Sequence, residues 1–206
     1  MMIAKQAYED FICELGSAKP TPGGGSAAAL VGAAGMALGN MAASLTVGKP
    51  KFAAVEDELR GLQSQAAGLS AEMMALADAD AAALLPLTKA YGLQAPQEEK
   101  QLVLRQCLHD AAQPPLNIMR CACRSLSILE QFLAKCSPLM ISDVGCGAAL
   151  SRAALEAAAL NVWINAKWLP DQDEAAELMR ETDAMLAQYL PLAERIYRQA
   201  AERVRP

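Results

Sequence analysis

The stretch SAAALVGAAGMALGNMAASLTV, residues 26–47, decides the fold: it has no charged residue and consists mostly of alanine, glycine and leucine. Alanine has the highest intrinsic helix propensity, and strand-forming aromatic and β-branched residues are scarce here. Gly32, Gly35 and Gly39 recur at spacings of three and four, and Ala28 and Ala43 extend the row. A row of small residues on one helix face lets a neighbouring helix approach closely. The stretch is long enough to span a bilayer. However, alanine and glycine are only weakly apolar, Asn40 lies inside it, and no aromatic belt flanks it. It reads as a buried core helix rather than a membrane span.

The same alanine-rich character continues along the chain. Hydrophobic residues make up 53% of the 206 residues and aromatics only 4%, so alanine and leucine must supply most of the core. Before the opening stretch, residues 3–16 read as a short amphipathic helix. The segment SAKPTPGGG, residues 17–25, is irregular because two prolines and three glycines punctuate it. The glycine-rich helix is expected over 24–47. After Pro50, helical patterning covers 52–91 with a kink at Pro86. A helix over 97–111 is expected to stop at Gln113-Pro114-Pro115, and another to fill 115–135. Ser142 or Asp143 reads as the N-cap of a helix running to Trp168, and a last helix covers 172–203, kinked at Pro191. The expected fold is all-α: one domain over 1–206, a multi-helical bundle of long alanine- and glycine-packed helices. A homodimer is expected as well, because the Gly32/Gly35/Gly39 row and the face bearing Asn161 exceed what one chain obviously covers.

Several function classes are poor fits. The net charge is −5, with no lysine- or arginine-rich stripe, which argues against nucleic acid. The six cysteines form no CxxC pair and His109 is the single histidine, which argues against a metal site. The start, MMIAKQAYEDF, has no secretory pattern, so reduced thiols and a cytoplasmic location are expected.

A few residues stand out as candidates for chemistry. Asp80 lies within an apolar stripe formed by Leu69, Met73, Leu76, Leu84, Leu87 and Tyr91. Asp78 points about 200° away and reads as solvated. A carboxylate on a buried stripe is either paired with an arginine or lysine, or has a raised pKa suited to general acid work. Pro22, Gly23, Gly24, Gly25 and Ser26 lead into a helix. Such a turn brings backbone N–H groups close to a ligand, or it is simply a helix entry capped by Ser26 or Thr21. Asn161 and Asn165 share a helix face that Trp168 continues. They either cross-link helices or bind an amide-bearing planar heterocycle. Asp143 suits the positive end of its helix. It lies about 27 Å along that helix from Asn161, so the two meet only through a helix break or a second subunit.

PTPGGGSAAALVGAAG at 20–35, DADAAALL at 78–85, QPPLNIMRCA at 113–122 and SDVGCGAALSRAALEAAALNVWIN at 142–165 together resemble the cyclodeaminase/cyclohydrolase family. This is the group that includes formiminotetrahydrofolate cyclodeaminase domains and methenyltetrahydrofolate cyclohydrolases. Gly145-Cys146-Gly147 departs from the alanine- and valine-like stretch expected there. The resemblance implies an all-α dimer acting on a one-carbon unit of tetrahydrofolate. Asp80 would be catalytic, and Pro22–Ser26, Asp143, Asn161 and Asn165 would bind substrate. No cofactor beyond the folate substrate and no metal is implied. The leading expectation is formiminotetrahydrofolate cyclodeaminase, which closes the bridge to methenyltetrahydrofolate and releases ammonia. The alternative is methenyltetrahydrofolate cyclohydrolase, and a third reading is a non-catalytic folate-binding or structural helical dimer.

Overall fold

The computed structural model describes residues 2–206, and every regular element among them is helical. Six α-helices follow one another: α1 (Tyr8–Leu15), α2 (Gly24–Ser44), α3 (Glu56–Tyr91), α4 (Gln97–Lys135), α5 (Ile141–Trp168) and α6 (Gln172–Val204). Short 3-10 segments occupy Ile3–Lys5, Pro50–Val55 and Pro138–Met140. The all-α bundle expected from composition is the observed architecture.

Helix α2 packs against α3, α4 and α5 at once, which explains why it is apolar all round. By length and hydropathy it also passes the test for a membrane span, but its small residues are used inside the bundle. A Cβ built on Gly35 would lie 2.9 Å from the Gly147 carbonyl oxygen, and one on Gly147 would lie 2.7 Å from the Gly35 carbonyl oxygen. The α2 and α5 backbones therefore touch directly. Gly32 faces Met73 and Ala154, and Gly39 faces Leu129 and Phe132. The glycine row is covered by the chain's own helices, so it gives no support to the dimer expectation that rested on it. The Gly145-Cys146-Gly147 departure has the same cause, because a Cβ on Gly145 would meet Ala200 Cβ at 2.8 Å.

Four local expectations are corrected. The single helix over 3–16 is split, with extended backbone at Gln6 and Ala7. The Ile3 N–H donates to the Asp78 carboxylate, which ties the first turn to α3 and gives Asp78 a structural partner in place of free solvation. Helix α2 ends at Ser44, and the chain turns at Gly48, whose φ of +81° suits glycine. Helix α5 starts at Ile141 after a 3-10 turn, so Asp143 sits in the first helical turn and neither Ser142 nor Asp143 is the N-cap.

The largest correction is in α4, which runs unbroken through Pro114 and Pro115. A proline inside a helix removes the bond to the carbonyl four residues back. For Pro115 that carbonyl belongs to Ala111, and Asn165 Nδ2 of α5 donates to it at 3.1 Å. Both prolines are buried, and apolar side chains before and after them pack in the same core. Tertiary packing and one amide from α5 together hold the helix across its two prolines.

Burial also sorts the thiols. It pushes Cys121 and Cys123 up to about 12 and Cys136 up to about 11, with the Glu72 carboxylate adding to the effect at Cys121. Cys13 and Cys146 are exposed. Thiolate is the reactive form. An aromatic disulfide reagent at pH 8 should therefore consume two thiols rapidly in the native protein and all six after denaturation. Rapid reaction of four or more native thiols would contradict this packing.

Candidate functional site

The site is assembled where the start of α2 meets the middle of α3 and the second half of α5. Gly23 occupies the N-cap position of α2 without a side-chain bond, and the first helical bond runs from Ala27 N–H to the Gly23 carbonyl at 3.0 Å. The helix itself therefore offers no partner to the N–H groups of Gly24, Gly25 and Ser26. Ser26 is fully buried and is not a cap. Its Oγ lies 2.9 Å from the Ala77 carbonyl oxygen and 2.9 Å from Asp80 Oδ2.

Asp80 reaches this point from α3. A Cβ on Gly25 would lie 2.1 Å from Asp80 Oδ1, so the carboxyl fills the space that any side chain at position 25 would need. Burial raises the Asp80 pKa, while side-chain and backbone hydrogen bonds from Ser26 pull it down; burial prevails. Among the described residues, no cation contributes to the balance. Of the two alternatives open for this carboxylate, pairing with an arginine or lysine is therefore not the one observed. Its stripe is apolar at Leu69, Met73 and Leu87, whereas Tyr91 is 53% exposed and lies off it.

On the other side of the turn, a Cβ on Gly24 would come within 3.2 Å of Asn161 Nδ2. That amide donates to the Ala157 carbonyl at 2.8 Å. Asn165 Nδ2 donates to the Asn161 carbonyl at 2.9 Å as well as to Ala111. Asn165 thus cross-links α5 to α4 through the Ala111 carbonyl, whereas the Asn161 amide bonds back within its own helix and cross-links nothing. Each side chain also carries an amide oxygen that can accept, and that of Asn161 would lie 3.4 Å from a Cβ on Gly24. Trp168 is 59% exposed beyond them, with Lys167 Nζ 5.6 Å from its ring centre.

The structure brings Gly24, Gly25, Ser26, Asp80 and Asn161 together, with Asn165 one turn further along α5. Asp143 is not among them: α5 is unbroken, and its first turn lies about 27 Å from Asn161. Gly23 marks the rim of the turn. Pro22 is buried and lines a separate hollow of about 340 Å³ with Asp78, Glu14 and Lys19. Sequence reasoning missed the Ser26–Asp80 bond and the Ala111 carbonyl. The second was legible in principle, because Pro115 frees the carbonyl four positions before it.

Among the described residues, fold and site together define a helical protein with one ionisable side chain, unpaired with any cation, set against a glycine turn and an amide-bearing helix. The chain belongs to the formiminotransferase-cyclodeaminase family, whose model matches residues 7–184. It is 36% identical to a methenyltetrahydrofolate cyclohydrolase of Methylorubrum extorquens, over 98% of this chain and 100% of that one. It is 32% identical to the mouse formimidoyltransferase-cyclodeaminase over 78% of this chain, which corresponds to 30% of that longer protein. The crystal structure of a formiminotetrahydrofolate cyclodeaminase from Thermotoga maritima superposes with a TM-score of 0.91 at 25% identity, covering 98% of this chain and 100% of that one.

Proposed function

We propose that the protein is an enzyme acting on the one-carbon unit carried by tetrahydrofolate, with Asp80 as the group that moves the proton. The observation that carries this reading is the cation-free, partly buried carboxyl seated on Gly25 beside Asn161. A carboxylate whose pKa is raised toward the working pH is a better base, and its conjugate acid remains available for the return step.

The first reaction assigned is hydrolysis of methenyltetrahydrofolate, supported by the 36% identity along the full length of both chains. Water adds to the bridging carbon, and its proton passes to the Asp80 carboxylate. As the carbonyl forms, the bond to one bridge nitrogen breaks with its electron pair on nitrogen. That nitrogen takes the proton from Asp80, and the former hydroxyl proton leaves to solvent. Cyclodeamination is the second reading, supported by the TM-score of 0.91 to a cyclodeaminase. There the proton comes from the attacking folate nitrogen and goes to the departing ammonia. One carboxyl serves both reactions, and positioning of the two nitrogens supplies much of the rate. The Asn161 and Asn165 acceptors suit the N–H groups of a pterin ring. The Gly24 and Gly25 N–H groups suit its carbonyl or a carboxylate.

Purified protein given methenyltetrahydrofolate should accelerate loss of the methenyl absorbance. If cyclodeamination is its activity, formiminotetrahydrofolate should instead yield that absorbance with release of ammonia. No change with either substrate would overturn the reading.

A homodimer belongs to the same proposal. Tyr8, Ile12, Val31, Ala34 and Leu150 border an apolar hollow of about 480 Å³, and exposed Met41 and Leu45 lie further along α2 and just past its end. A second copy would bury this surface. Sedimentation at micromolar concentration should report a dimer, and a monomer would contradict it.

A further inference from the structure

We propose that Ser26 is the positioning residue that lets Asp80 hold and release a proton: its hydroxyl hydrogen points to Asp80 Oδ2 when the carboxyl is ionised and turns to the Ala77 carbonyl when it is protonated. This rests on the reading of Asp80 given above and adds a second residue to it. A serine hydroxyl has one hydrogen to donate and two lone pairs to accept with. Here two acceptors lie at the same 2.9 Å, one of them ionisable. With Asp80 ionised, Ser26 donates to it. With Asp80 protonated, the carboxyl O–H donates to Ser26 Oγ, and the serine hydrogen rotates to Ala77, whose carbonyl has a lone pair beyond its helical bond. Ser26 is fully buried, so water does not compete for either arrangement. Both protonation states keep every buried donor satisfied, and changing between them requires only a hydroxyl rotation.

The surroundings leave this pair in control. Helix α2 contributes no charged residue, and α5 contributes the amides of Asn161 and Asn165. On α3, Asp78 is held by the Ile3 N–H and Glu72 by Arg124. On α4, Arg124 is engaged by that Glu72 and Arg120 by Glu181.

The test follows the Asp80 carboxyl by carbon NMR, its signal assigned with Asp80→Asn, in the full chain and in Ser26→Ala, alongside the pH profile of kcat. In Ser26→Ala the Asp80 midpoint should move upward, because a hydrogen bond to the charged form outweighs one to the neutral form. The kcat should fall roughly tenfold, the scale of one lost hydrogen bond, and the acid limb of its profile should move up with the carboxyl. Ser26→Thr keeps the hydroxyl and should restore both; if threonine does not pack, Ser26→Ala alone decides. An unmoved Asp80 midpoint overturns the proposal. A midpoint that moves while the kcat profile stays in place shows a Ser26–Asp80 pair that shuttles no catalytic proton, which overturns the proposal and also the role given to Asp80.

Discussion

Asp80→Asn is expected to lower turnover by about 10²–10⁴-fold, the usual contribution of a positioned acid–base group, and to raise the melting temperature at neutral pH. The two effects have one cause. In the folded chain burial raises the Asp80 pKa, with no cation to offset it. Folding therefore favours the protonated carboxyl. Its stabilising contribution is fully present below the ordinary carboxylate pKa and is lost as pH rises through the raised folded value. At neutral pH the ionised form is a burden on the fold. Asparagine carries no charge and still accepts from Ser26. The gain in melting temperature should thus shrink as pH falls into and below the carboxylate range. Substantial retained turnover in a pure sample would remove Asp80 from the mechanism. A loss of stability independent of pH would contradict the account of its environment.

Gly147→Val is expected to destabilise the fold by about 3 kcal/mol or more. Its Cβ would meet the Gly35 carbonyl oxygen at 2.7 Å and Leu129 at 3.0 Å. A backbone atom cannot turn aside, so α2 and α5 would have to separate along a contact that much of the core depends on. The control is Gly61→Ala in α3, where an added Cβ meets no atom within 4 Å. That change should stabilise by about 0.5–1 kcal/mol through helix propensity alone. Urea denaturation followed by helical circular dichroism reads both. A neutral Gly147→Val would mean that the two helices do not touch at Gly35.

Much of the site was legible because its parts lie in short segments with local meaning. The Gly23–Gly25 turn announces a helix start, Asp80 interrupts an apolar stripe, and Asn161 and Asn165 share a face by spacing alone. What was not legible was who meets whom. Ser26 looked like a cap because serine at a helix start usually is one, yet its partners are on α3, 51 and 54 residues away. Asp143 could join Asn161 through a break in α5 or from a second subunit, and the unbroken α5 leaves only the second route.

By itself the sequence determined that the chain is helical nearly throughout, since alanine propensity and apolar periodicity act within a few residues of each other. It also determined where an unusual carboxylate lies. Only the tertiary structure decided that the glycine row is spent inside the chain, and that α4 passes through Pro114 and Pro115 with Asn165 taking up the freed Ala111 carbonyl 54 residues away. It alone seated Asp80 in the space left by Gly25. These outcomes depend on backbone approach and hydrogen-bond partners between distant segments, and neither leaves a periodic trace in the sequence.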